Sequence, residues 1–166
     1  MRSFVAPAVV VVLFVAVTPA VGGPNEDKAA TRKLMENKAL IRRYVQECIG
    51  KNDMSLMDEL LAANYVLHEP VVGDRDLATY KKSQPAVLAG FPDGHWTIED
   101  MVAEGDKVAW RFTFRGTHLG EFAGIPATGK QVRLSGMVIS RVADGKVAEE
   151  WEIYDAHGLF RDLGQK

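Results

Sequence analysis

The chain holds a single cysteine, Cys48, so no disulfide can form within it. Charge of one sign is not in excess: 20 basic side chains stand against 22 acidic ones, for a net charge of −2. That balance, without a basic stripe, argues against nucleic acid as a partner. The histidines His68, His95, His118 and His157 are scattered, with no His-x-His or His-Glu-x-x-His pairing, so no metal site is expected. Asp155 and His157 would share a face only if a strand ran through both, giving a weak two-ligand site or an acid–base pair. No Gly-x-Ser-x-Gly occurs, and Cys48 falls inside a helical pattern, so a serine or cysteine nucleophile lacks support. The stretch Gly124-Ile125-Pro126-Ala127-Thr128-Gly129-Lys130 nearly spells a phosphate loop. Gln131 replaces the metal-binding hydroxyl, however, and the following residues alternate as a strand where the motif needs a helix.

The one long apolar run, Phe4 to Val17, is shorter than the roughly 20 residues a membrane span needs. It follows Met1-Arg2-Ser3 and precedes the small residues Thr18 to Gly23, the layout of a secretory signal. Residues 1–23 are therefore expected to direct export, secreted or periplasmic, with an uncleaved anchor as the alternative and no stable anchor once cleaved. Residues 24–29 read as a flexible leader. Residues 30–166 are long enough for one domain with its own core.

Helical spacing of Leu34, Ile41, Val45 and Cys48 predicts a first helix over 30–49, ended by Gly50 as a left-handed cap. A short second helix carries Met54, Met57 and Leu60, and a strand over 64–68 stops before Pro70. Asp74 or Asp76 opens a third helix that Pro85 should kink or divide. From His95 onward the pattern is that of strands. Val108, Trp110, Phe112 and Phe114 alternate with polar partners, and Asp144-Gly145 marks a hairpin. Helices first and an antiparallel meander after them predict an α+β fold.

The last strand run, Lys146 to Asp155, carries the chemical signal. Alternation places Val147, Glu149, Trp151, Ile153 and Asp155 on one face, so Asp155 is either a carboxyl poised beside apolar side chains or a solvated cap. His68 alternates with Val66 at a strand end, where it would shuttle a proton or simply be hydrogen-bonded. His118 either continues the inward stripe of Val108 to Phe114 or already lies in the loop, and Tyr44 beside Val45 either presents its hydroxyl to a pocket or is a core residue with a solvated tip. Trp151 reads as pocket wall.

Three stretches, Ala63 to Pro70, Gly116 to Lys130 and Asp144 to Asp155, together resemble the SnoaL-like polyketide cyclases, or ester cyclases, of the nuclear-transport-factor-two-like superfamily. The likeness runs from about Asn37 to Gly164. It implies a cone-shaped, curved antiparallel sheet packed against three N-terminal helices, frequently dimeric, around a small-molecule pocket. It also implies an acid/base aspartate on the last strand, falling on Asp155. Where the family's cyclases often carry a polar or aromatic side chain, in the strand before the last, this chain has Met137 and Val138.

The expected chemistry is proton removal beside an ester or ketone carbonyl, followed by ring closure or isomerisation, with no cofactor. Asp155 and His68 are the expected catalytic pair, and Tyr44, His118, Met137 and Trp151 the expected contacts to an apolar substrate. The alternative is a non-catalytic ligand pocket, or a dimerisation module on the same fold.

Overall fold

A computed structural model describes residues 23–164. The expected signal segment lies outside the described residues apart from Gly23. Helix α1 spans Pro24–Arg43 and continues as a π-helical turn, Tyr44–Ile49. Residues 24–29, expected as a leader, are thus its first turns. Glu26 accepts from the Gly23 backbone N–H at 3.1 Å, and Glu26 and Asp27 set negative charge at the helix start. Gly50 has φ −69°, not the left-handed conformation expected of it. Closeness explains the glycine instead, since a Cβ there would lie 2.9 Å from the Gln46 carbonyl oxygen. The left-handed residue is Asn52, at φ 58°.

A 3-10 turn, Met54–Leu56, leads into the short helix α2, Met57–Leu60. Strand β1 then spans Leu61–His68, starting earlier than Asn64. Strand β2 is the short edge Arg75–Asp76, and α3 spans Leu77–Gly90. Asp76 caps α3 by accepting from the Thr79 backbone N–H at 2.8 Å. Pro85 sits within α3 without dividing it.

The strands that follow are β3 (His95–Glu104), β4 (Lys107–Thr117), β5 (Gln131–Ala143) and β6 (Lys146–Tyr154), with a closing helix α4 (Ala156–Leu163). They form one six-stranded sheet in the order β2-β1-β6-β5-β4-β3. The meander from β3 to β6 is antiparallel as expected, whereas β1 returns beside β6 in parallel. Among the described residues no helix is long and apolar enough to cross a membrane.

The helices cover one sheet face and form the core there. Ile41, Val45 and Cys48 of the first helix pack with Val108, Trp110 and Phe112 of β4, the inward stripe expected from alternation. Strand β6 departs from its expected phase. Its pairing with β5 slips between Arg141 and Val142, and both Val147 and Ala148 are buried, so one residue is doubled on the inner side. Beyond that bulge every side chain of β6 changes face.

Candidate functional site

Tyr44, α3 and the inner sheet face enclose a cavity of about 370 Å³. That falls within the span common for small-molecule sites, roughly 300–1,000 Å³. Phe91, Trp96, Trp110, Phe112, Phe114 and Phe122 supply much of its wall. Its polar groups are few and cluster on β2, β6, α3 and Glu69, just past the end of β1.

The β6 bulge decides which of them are there. With the phase reversed, Glu150, Glu152 and Tyr154 line the cavity. Glu150 is buried and accepts from the Tyr65 hydroxyl at 2.7 Å and the Ser140 hydroxyl at 2.5 Å. Ser140 in turn accepts from the Trp110 indole at 2.9 Å. Burial pushes the Glu150 carboxyl up to about 7, against the opposing pull of the hydrogen bonds from Ser140 and Tyr65. Glu152 faces the same space, and no hydrogen bond reaches its carboxyl among the described residues. Burial first, and then the charges of Glu150 and Glu69, push it up to about 8.

A second polar group surrounds Arg75 of β2. Its guanidinium pairs with Glu69 through Nη2 and donates to Ser83 through Nη1 at 2.9 Å. The Tyr154 hydroxyl donates to the other oxygen of Glu69. Further along the wall, the Tyr44 and Tyr80 hydroxyls meet at 2.7 Å. Burial raises both phenols far above their ordinary range, so each stays protonated.

Of the six residues expected to act on or contact a substrate, Tyr44 alone lines the cavity. Asp155 is exposed, and its carboxyl caps α4 by accepting from the Gly158 backbone N–H at 2.8 Å. The inward orientation expected of it is corrected by the β6 bulge, which turns Glu149, Trp151 and Ile153 outward as well. Trp151 and Met137 lie on the outer sheet face at 36% and 60% exposure, opposite their expected side. His68 is on that outer face too, between Asp74 at 2.9 Å and Glu149 at 3.0 Å, and stacked on Trp151. Those two carboxylates hold its imidazole above its usual range. His118 is fully buried, as its stripe suggested, but behind the cavity wall. Its ring packs on Phe91 with centroids 5.3 Å apart, and Nδ1 lies 3.1 Å from the Thr128 hydroxyl.

Glu150, Glu152 and Arg75 were not singled out from sequence. A signal for the first two was present. In Glu149-Glu150 two acids are adjacent on a strand, and neighbours on a strand point to opposite faces. One of them had to face the core in either phase.

Comparison with known proteins gives the same architecture. AclR of Streptomyces galilaeus, a candidate hydroxylase, superposes with a TM-score of 0.72 at 30% identity, over 79% of this chain and 97% of its own. IdmH of Streptomyces antibioticus, a candidate polyketide cyclase, does so at 0.69 and 32% identity, over 78% and 99%. Aklanonic acid methyl ester cyclase DnrD of Streptomyces peucetius is 27% identical over 73 residues, 44% of this chain and 50% of that enzyme. The match thus spans about half the length of DnrD. Residues 39–163 match the SnoaL-like polyketide cyclase family, and the chain belongs to that family, on a nuclear-transport-factor-two-like fold.

Proposed function

We propose that the protein catalyses acid/base ring closure, or isomerisation, of an apolar carbonyl compound held in the cavity. Membership of the cyclase family supports a role of this type. The observation that carries the mechanism is Glu152, a carboxyl inside an aromatic cavity with no hydrogen bond among the described residues and an affinity for protons near neutral pH. A base matched to the working pH transfers protons most effectively.

The reaction balances within one substrate. The Glu152 carboxylate takes a proton from a carbon beside a carbonyl, and the C–H electron pair moves onto the carbonyl oxygen as an enolate. The enolate carbon then bonds to a second carbonyl carbon of the same molecule, whose oxygen receives the proton from Glu152. In isomerisation the proton returns to a different carbon. Neither course needs a co-reactant.

The family resemblance marks Asp155 for this task, and two substitutions separate the candidates. Exchange of the carbonyl-adjacent hydrogens of 2-tetralone in D₂O, followed by NMR, reads proton transfer without knowledge of the natural substrate. Glu152→Gln is expected to lose about 10²-fold or more of catalysed exchange, the usual weight of a general base. Asp155→Asn, which keeps the helix cap, should change it little. The opposite result moves the role to Asp155. Absence of exchange in the unaltered protein, with no turnover on other carbonyl compounds, favours the non-catalytic pocket.

Two further expectations join this proposal. A homodimer is supported by the outer sheet face, where Met137 pairs with Ile153 and Ile139 with Trp151, all exposed. Export is supported by residues 1–23 as a sequence pattern alone.

A further inference from the structure

The Arg75 side chain is 14% exposed and lines the cavity, yet its Nε has no hydrogen-bond partner. Guanidinium and carboxylate often pair through two parallel bonds, and with Nη1 given to Ser83 such a pair here would engage Nε beside Nη2. Here Tyr154 takes the second oxygen of Glu69, so the carboxylate meets only Nη2 of Arg75. Of the five N–H donors an arginine carries, one goes to Ser83 and one to Glu69. The rest have no protein acceptor among the described residues. Tyr80 packs against the group, its ring centre 5.5 Å from Cζ, and helps to hold it in place.

Glu152 lines the same cavity and feels the Arg75 charge, but the two are not within ion-pair distance. A cation with donors to spare and a carboxyl without a partner therefore share one apolar chamber. Buried groups of this kind are stabilised when a ligand supplies what each lacks.

We propose that the Arg75 guanidinium holds the oxyanion of an enol or phenol, on an apolar ring body, while Glu152 carries the proton. This rests on the reading of Glu152 as the proton carrier. It adds the group that receives the electron pair when the C–H bond breaks. A protonated carboxyl in an apolar site is itself a donor, so Glu152 in that state adds a second bond to the same oxygen. The ligand class follows: a fused-ring or aromatic compound whose ring oxygen is an enolate or phenolate when bound.

The probes are 4-hydroxycoumarin, an enolate at neutral pH, and coumarin, which has the same ring body without the enol. Titration calorimetry gives both affinities at pH 7. The protein is expected to prefer 4-hydroxycoumarin by about tenfold or more, the weight of a charge-assisted bond. The test variants are Arg75→Lys, which keeps a charge for Glu69, and the double substitution Glu69→Gln/Arg75→Met, which removes the ion pair whole. Arg75→Lys should lower the ratio, and the double variant should bring it close to one, while coumarin affinity stays within about threefold. A ratio unchanged in the double variant, or no preference in the unaltered protein, overturns the proposal. The exchange assay reports separately on Glu152. Loss of exchange in Glu152→Gln with an unchanged ratio in the double variant removes Arg75 and keeps the acid/base reading. A ratio that falls as expected, with no exchange by the unaltered protein, keeps Arg75 as the oxygen-holding group and removes that reading.

Discussion

Glu150 and Glu152 stand two residues apart on β6 and face the same cavity, but only Glu150 has donors, from Tyr65 and Ser140. The difference lies in their cross-strand partners. Glu150 lies opposite Ser140, whereas Glu152 lies opposite Val138, which offers its carboxyl nothing. One carboxyl is built into the wall, and the other is left with capacity to react.

That capacity has a cost in stability that depends on pH. The Glu152 carboxyl goes from an ordinary 4.5 in the unfolded chain to about 8 in the folded one. Between those values the folded state binds the extra proton, so this group's contribution falls as pH rises and is fully lost above the folded value. Glu152→Gln should therefore leave stability near that of the unaltered protein at pH 5. At pH 9 it should raise stability, by an amount on the order of a few kcal/mol. Urea unfolding at the two pH values checks this, and a difference independent of pH counts against a desolvated Glu152.

Turnover and oxyanion binding should respond to pH in opposite directions. A base acts in its ionised form, so kcat/KM for exchange should climb through the Glu152 transition at about 8 and level off above it. The enolate of 4-hydroxycoumarin is best held when Glu152 is protonated, and ionised Glu152 repels it. Its affinity should fall across the same interval, while that of coumarin stays flat. Parallel profiles for exchange rate and enolate affinity would contradict the assignment of one carboxyl to both effects.

The wall carboxyl gives a different expectation. Ser140→Ala removes one of two donors to buried Glu150 and the acceptor of the Trp110 indole N–H. Leaving buried polar groups unsatisfied costs about 1–3 kcal/mol each. Because the Ser140 bond draws the Glu150 carboxyl down, its loss should also raise that group further above about 7. Calorimetric unfolding gives the first effect, and carbon-13 NMR titration of the glutamate carboxyls gives the second.

Most of the architecture was legible because its signals were local. The stripe of Val108, Trp110, Phe112 and Phe114 fixed the inner face of β4, and helical spacing fixed Ile41, Val45 and Cys48. The parallel pairing of β1 with β6 was not legible, since it joins residues far apart in the chain and no turn announces it. The facing of β6 was misread for one reason. A single bulge beside the Asp144-Gly145 hairpin reverses the phase of β6, and with it the sides taken by Trp151, Ile153 and Glu152. Apolar residues normally point inward, so Trp151 and Ile153 suggested a phase that the outer face of this sheet does not obey. Tyr44 lies at the cavity wall because it opens the π-helical turn whose residues Val45, Cys48 and Ile49 are buried with it.

The outer face provides the last expectation. Ile153 is 70% exposed and pairs across the ladder with Met137, itself 60% exposed, next to Ile139 and Trp151. Contiguous exposed apolar side chains of this kind mark contact surfaces more often than bare solvent-facing walls. A charge set in the middle of the patch should oppose association without touching the cavity, because these side chains lie on the opposite side of the sheet. Ile153→Asp is expected to weaken a homodimer by about tenfold or more, as burying an unpaired carboxylate in an interface does. Sedimentation velocity over a concentration series reads the shift, and coumarin affinity serves as the control for an intact cavity. A protein that sediments as a monomer at every concentration before the substitution would remove the homodimer from the reading and leave the patch to another partner.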